Sequence, residues 1–131
     1  MNKQPTQIIT IYATSKALNT SSKKEDLIKA AYFFEKVYVS NKLNLDMLYN
    51  LIIVSIKSRE YKYVSPHLIE RYKVDNKDEK VLEALHKINF ASGNISEAHF
   101  FSSQLIKVNP NYPSVWENHL SSLNYITSKS Q

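Results

Sequence analysis

The chain has 131 residues, no cysteine, one glycine and a net charge of +5. The lack of cysteine excludes disulfides, thiolate metal sites and a cysteine nucleophile. One glycine is too few for the loops that cradle phosphates, and it argues against a sheet-rich fold with many tight turns.

A chain of this length buries roughly two-thirds of the surface that its unfolded form exposes, so 1–131 is read as one domain. At the amino terminus the apolar patch from Ile8 to Tyr12 is too short for a signal-peptide core, and no small-residue cleavage site follows it. No run approaches the ~20 apolar residues of a membrane span. The expectation is a soluble, cytoplasmic protein.

Thr6 to Leu18 reads as a weak first helix, and Asn19 to Ser22 as a polar break. Ser22 with Glu25 forms a capping-box signature, which predicts a helix from there to about Ser40. Leu27, Ala30, Ala31, Phe34, Val37 and Tyr38 keep its apolar spacing. Asn44 is a candidate cap for the next helix, with Leu45, Leu48, Leu51, Ile52 and Ile56 as its stripe. Ser65-Pro66 reads as a cap followed by a first helical residue, because proline has no N–H to donate. The alternative is an irregular first turn from Tyr61 to Ser65.

Val81, Leu82, Leu85, Ile88 and Phe90 predict a helix to about Ala91. Gly93 follows, where the turn needs a left-handed residue. Ile95, Ala98, Phe101, Leu105 and Val108 predict another helix, ended by Asn109-Pro110-Asn111. Pro113 begins a last helix carrying Val115, Trp116, Leu120, Leu123 and Tyr125.

These elements repeat with a period of 34 residues. Ala30, Val64 and Ala98 are in one register, as are Leu48, Leu82 and Trp116. Phe34, Leu68 and Ser102 share another, and Val37, Arg71 and Leu105 a fourth. A fixed period of this size marks helix pairs that bury their apolar faces only by stacking on neighbours.

Val81 to Pro110 resembles a tetratricopeptide repeat, through Leu82, Leu85, Gly93, Glu97-Ala98, Leu105 and Asn109-Pro110. Trp116 falls where the next repeat would place its tryptophan. Leu48, Leu51, Ile52, Val64, Leu68 and Val74 follow the pattern one unit earlier, and Ala30, Phe34 and Val37 one unit before that. Arg59 stands in place of the turn glycine, Asn76 in place of the closing proline, and His86 in place of a small residue.

The resemblance implies an all-α, right-handed solenoid of antiparallel helix pairs. Its repeats would be about 11–44, 45–78 and 79–112, with a capping helix at 113–127. Ser114, Glu117, Ser121, Ser122 and Asn124 suit a polar outer face on that cap. The resemblance also implies that a partner protein or peptide lies in a concave groove. Its lining is expected to be Tyr49, Asn50, Ile53, Lys80, Glu83, Lys87, Asn118 and Ser121. Asn19, Asn50 and Lys80 coincide with three of five positions of the carboxylate clamp that some such proteins use, whereas Ser15 and Ala84 occupy the other two.

No His-Glu-x-x-His motif, metal-ligand histidine spacing or nucleophile elbow is present. The expected protein is therefore a non-catalytic adaptor, chaperone or assembly factor without metal or cofactor. Interspersed acids and bases disfavour nucleic acid. A helical-repeat RNA binder and a self-associating scaffold are the alternatives.

Overall fold

The computed structural model describes residues 23–113 and 115–129. The predicted helix at Thr6 to Leu18, Ser15, Asn19, the Ser22 cap and Ser114 lie outside them. Among the described residues there are six helices and no strand. They are α1 (Lys24–Ser40), α2 (Leu45–Ser58), α3 (Ser65–Val74), α4 (Glu79–Ala91), α5 (Ile95–Val108) and α6 (Val115–Lys129).

The period seen in the sequence recurs in the helix ends. Ser40, Val74 and Val108 close α1, α3 and α5 at 34-residue intervals, and Leu45 and Glu79 open α2 and α4 at the same interval. The residue after each closing position makes the same turn. The side-chain oxygen of Asn41 accepts from Leu43 N–H at 3.1 Å, that of Asp75 from Lys77 N–H at 2.9 Å, and that of Asn109 from Asn111 N–H at 3.0 Å. A short side-chain carbonyl can take the place of a backbone acceptor two residues on, which bends the chain without further contacts. Asn41 and Asn109 share nearly one backbone conformation, with φ of −154° and −152°.

The backbone divides between His67 and Leu68 into two compact units. In the first, α1 packs against α2. Leu27, Ala30, Ala31, Phe34, Val37 and Tyr38 are buried on α1, and Met47, Leu48, Leu51, Ile52 and Val54 on α2. Ala30 and Ala31 are fully covered, as small residues at a close helix approach must be. Of the aromatic run on α1, Phe34 enters the core, whereas Tyr32 is exposed and meets Tyr63 edge-on at 5.9 Å. His67 joins Glu35 at 2.8 Å.

Around Pro66 the structure decides between the two expectations. Tyr61 to Val64 form a turn, and Ser65 is the first helical residue. Ser65 is not a cap, because its hydroxyl donates to the Tyr61 carbonyl at 2.8 Å. Asn44 holds the N-cap position of α2, but its side chain makes no capping bond. At α4 the cap is Asp78, which accepts from the N–H groups of Lys80 and Val81.

In the second unit, α4 packs on α5 and α5 on α6. Leu82, Leu105 and Val115 form its core, with Tyr72, Phe101, Ile106, Val108 and Tyr112 around them. Gly93 is left-handed, with φ +84°. Its turn is closed by Asn94 N–H donating to the Asn89 carbonyl at 2.8 Å. The final helix begins at Val115 rather than at Pro113. The Trp116 indole N–H ties it to the Pro110 carbonyl at 2.9 Å.

The expected polar outer face of that helix is corrected in part: Glu117, Ser121 and Asn124 are exposed as expected, but not all of that set is, and large apolar residues lie outside with them. Ser122 is buried, whereas Trp116, Leu120 and Leu123 are exposed. At 100° per residue, Val115, His119 and Ser122 form the flank that meets α5, which turns the apolar residues outward.

Candidate functional site

The second unit has a shallow hollow of about 190 Å³ between α4 and α6. His86, Lys87, Phe90 and Ala91 line it from α4, and Asn118 and Ser121 from α6. Spacings of three and four residues put each set on one helix face. Three of the residues expected in the groove, Lys87, Asn118 and Ser121, therefore meet in one place.

The hollow is polar at its rim and aromatic at its base. Lys87 is exposed, and its ammonium lies 3.7 Å from Glu83 one turn earlier. Asn118 offers an amide and Ser121 a hydroxyl, so the rim can donate to peptide carbonyls or a carboxylate. The Phe90 ring lies 5.9 Å from His86 and 6.4 Å, edge-on, from Tyr125.

Glu83 is less available than its sequence position suggests, because it is half-buried and serves the fold. The Tyr112 hydroxyl bonds to it, and burial followed by that carboxylate pushes the tyrosine pKa up to about 12. Lys80 is exposed in the first turn of α4. Tyr49, Asn50 and Ile53 lie on α2 in the first unit, the first two half-buried and Ile53 exposed. They share the 34-residue register with Glu83, Ala84 and Lys87. Of the clamp positions, Ala84 is 1% exposed, so that register position in α4 cannot present a side chain to solvent.

The sequence did not point to a histidine–serine network that joins α4, α5 and α6. His99 and His119 stack with ring centroids 4.5 Å apart. His119 Nδ1 lies 3.1 Å from the Ser102 hydroxyl, which donates to the His99 carbonyl. His99 Nδ1 lies 3.2 Å from the Ser122 hydroxyl, which donates to the His119 carbonyl. The arrangement is reciprocal, with each hydroxyl placed to accept the other helix's imidazole N–H. His86 Nδ1 must donate to the Ala98 carbonyl, 2.9 Å away, since a carbonyl only accepts. The signal available in the sequence was the pair of matching spacings, His99 to Ser102 and His119 to Ser122.

These contacts resemble serine–histidine dyads only in composition. Ser102 and Ser122 are 1% and 0% exposed, and both hydroxyl protons are held by backbone carbonyls. Neither oxygen is open to a substrate. Among the described residues, no group of three or more metal-binding side chains could hold an ion. No helix of these residues is long and apolar enough to cross a membrane.

Burial lowers the pKa of both His86 and His119 below the ordinary 6.5. For His86 the next influence is the Ala98 carbonyl, which opposes the shift. For His119 it is His99, which adds to it.

Comparison with known families, curated proteins and solved structures gives no match. The functional reading therefore rests on the residues and their geometry.

Proposed function

We propose that the protein is a tetratricopeptide-like solenoid that binds a segment of another protein and catalyses nothing. It would act as an adaptor, chaperone or assembly factor. The observation that carries this reading is the meeting of Lys87, Asn118 and Ser121 at one hollow. The same three residues follow from the resemblance as groove positions, and Ile53, Lys87 and Ser121 occupy a single register of the repeat. Recurrence of the helix ends and of the Asn41, Asp75 and Asn109 turns supports the solenoid.

The donors at the rim favour a peptide that brings carbonyls or a carboxylate, and the aromatic base favours an apolar side chain beside them. The hollow is too small to enclose a drug-sized ligand. It suits a local anchor in a longer, extended contact.

The test begins with a peptide selected from a randomised library against the whole chain. Calorimetry should show Lys87→Ala with Asn118→Ala weakening that peptide at least about tenfold, a loss of about 1.4 kcal/mol. Far-UV circular dichroism should not change. Unaltered affinity, or amide shifts confined to residues away from α4 and α6, would overturn the reading.

A further inference from the structure

We propose that the hollow between α4 and α6 selects a tyrosine of the partner segment, whose hydroxyl donates to His86 Nε2. The proposal rests on the peptide-binding reading and names the side chain that this site takes.

His86 is where the chain departs from its own repeat. In the 34-residue register its counterparts are Ile52 on α2 and Leu120 on α6, both apolar. His86 is 4% exposed, so a polar ring is buried where the register elsewhere carries a hydrocarbon. Packing alone does not call for such a ring, because each nitrogen that leaves water needs a partner.

Only one of its nitrogens has one. Nδ1 donates to the Ala98 carbonyl on α5 at 2.9 Å. That bond fixes the tautomer, so the neutral ring carries a lone pair and no proton on Nε2. Among the described residues Nε2 has no hydrogen-bond partner. The unpartnered side-chain atoms that are closed off from solvent are Ser55 Oγ and Arg71 Nε, so Nε2 keeps an opening. The two nitrogens diverge around the ring, which turns Nε2 away from α5, and His86 lines the hollow that faces α6. Burial holds the His86 pKa below the ordinary 6.5, which keeps the lone pair available at neutral pH.

An acceptor at the base and donors at the rim define the guest. Lys87 and Asn118 bring N–H groups to the rim, and His86 Nε2 accepts below them. A hydroxyl donates and accepts at once, so it answers both. An indole N–H only donates, and a carboxylate would set its own lone pairs against that of Nε2. The Phe90 ring, 5.9 Å from His86, supplies a wall on which a second ring can pack. Serine and threonine have no ring to place there. A hollow of about 190 Å³ has room for one side chain rather than a whole small-molecule ligand. Tyrosine is the side chain that joins a ring to a hydroxyl, and the carbonyls of the same segment remain free to meet the rim.

The test uses the N-acetyl methylamides of tyrosine, O-methyltyrosine and phenylalanine as probes. They share one ring and one backbone, and only the first donates from its ring. Each is titrated into the isotope-labelled whole chain at neutral pH and followed by NMR. The tyrosine probe should bind with a dissociation constant on the order of millimolar, at least about fivefold tighter than the other two. Its amide shifts should centre on α4 and α6. The His86 Nε2 resonance should start as an unprotonated nitrogen and move upfield as it accepts the hydroxyl proton, while Nδ1 stays protonated. His86→Leu, which restores the residue type of the register, should bind all three probes alike. The comparison on wild type does not depend on that variant folding. Equal binding of the three probes at α4 and α6 would overturn the tyrosine assignment and leave the peptide-binding reading standing. No binding of the tyrosine probe there, or a free chain protonated at His86 Nε2, would also overturn the assignment. Library-selected peptides that bind away from α4 and α6 would instead overturn the reading beneath it.

Discussion

Arg59 and Gly93 adopt the same left-handed backbone 34 residues apart, with φ of 59° and 84°. They hold the same register of the repeat, Arg59 directly after α2 and Gly93 one residue further on after α4, but only glycine adopts this backbone without steric cost. A Cβ in this region meets the adjacent backbone, a cost of about 1 kcal/mol. Arg59→Gly should therefore stabilise the protein by about 0.5–1 kcal/mol. Gly93→Ala should destabilise it by about 1 kcal/mol. A Cβ at Gly93 would meet nothing within 4 Å, so its cost is confined to the backbone. Urea unfolding of the two variants checks both signs. A neutral Gly93→Ala would show that the turn relaxes to another conformation.

The pair also shows what could be read in advance. The period and Gly93 fixed the place of this turn, so the strain at Arg59 was legible as a departure from pattern. Helix positions were legible for the same reason, since apolar spacing and Asn109-Pro110 mark them locally. The role of Ser65 was not, because a serine before proline can cap or bond backward, and the Tyr61 turn decides it. The apolar exterior of α6 was hidden by a tie. Serines and large apolar residues alternate along it, and only packing on α5 decides which flank is buried. At the candidate site, Lys87, Asn118 and Ser121 were legible through the repeat. The withdrawal of Glu83 into a bond with Tyr112 was not, because that contact joins α4 to the turn before α6.

Asp78 performs two jobs that separate by substitution. It caps α4 through Lys80 and Val81, and its other oxygen lies 3.5 Å from Arg71 Nε on α3. Asp78→Asn keeps an acceptor for the cap and removes the charge pair. Asp78→Ala removes both, and loss of the cap alone is worth about 1 kcal/mol. The expected order of thermal midpoints is wild type, Asn, Ala. Equal losses for the two variants would assign the whole effect to the ion pair.

Ser55 is fully buried on α2, and its hydroxyl has no hydrogen-bond partner. Its register mate Asn89 reaches the Leu85 carbonyl at 2.7 Å, a bond that Ser55 does not make. A buried hydroxyl without a partner loses its water for nothing. Ser55→Ala should therefore be neutral or stabilising by up to about 1 kcal/mol. A clear loss in the urea midpoint would mean that the hydroxyl is bonded in solution.

His86 and His119 make the second unit sensitive to acid. Burial holds His86 and His119 below the ordinary imidazole value of 6.5 that they regain on unfolding. The unfolded chain therefore binds more protons as pH falls through 6.5, and stability is lost from there down to the lower folded values. Above 6.5 both states are neutral at these sites and the contribution is constant. The groups facing His119 are His99 on α5 and His86 on α4. Lys87 also opposes protonation of His86, whereas Glu83 favours it. The urea midpoint should be flat from pH 8 to 7 and fall between pH 6.5 and 5. His119→Gln should flatten part of the slope, since an amide can still donate to Ser102 but cannot titrate. A wild-type midpoint that is level across this range, or a His119→Gln slope equal to that of wild type, would place the acid sensitivity outside the network.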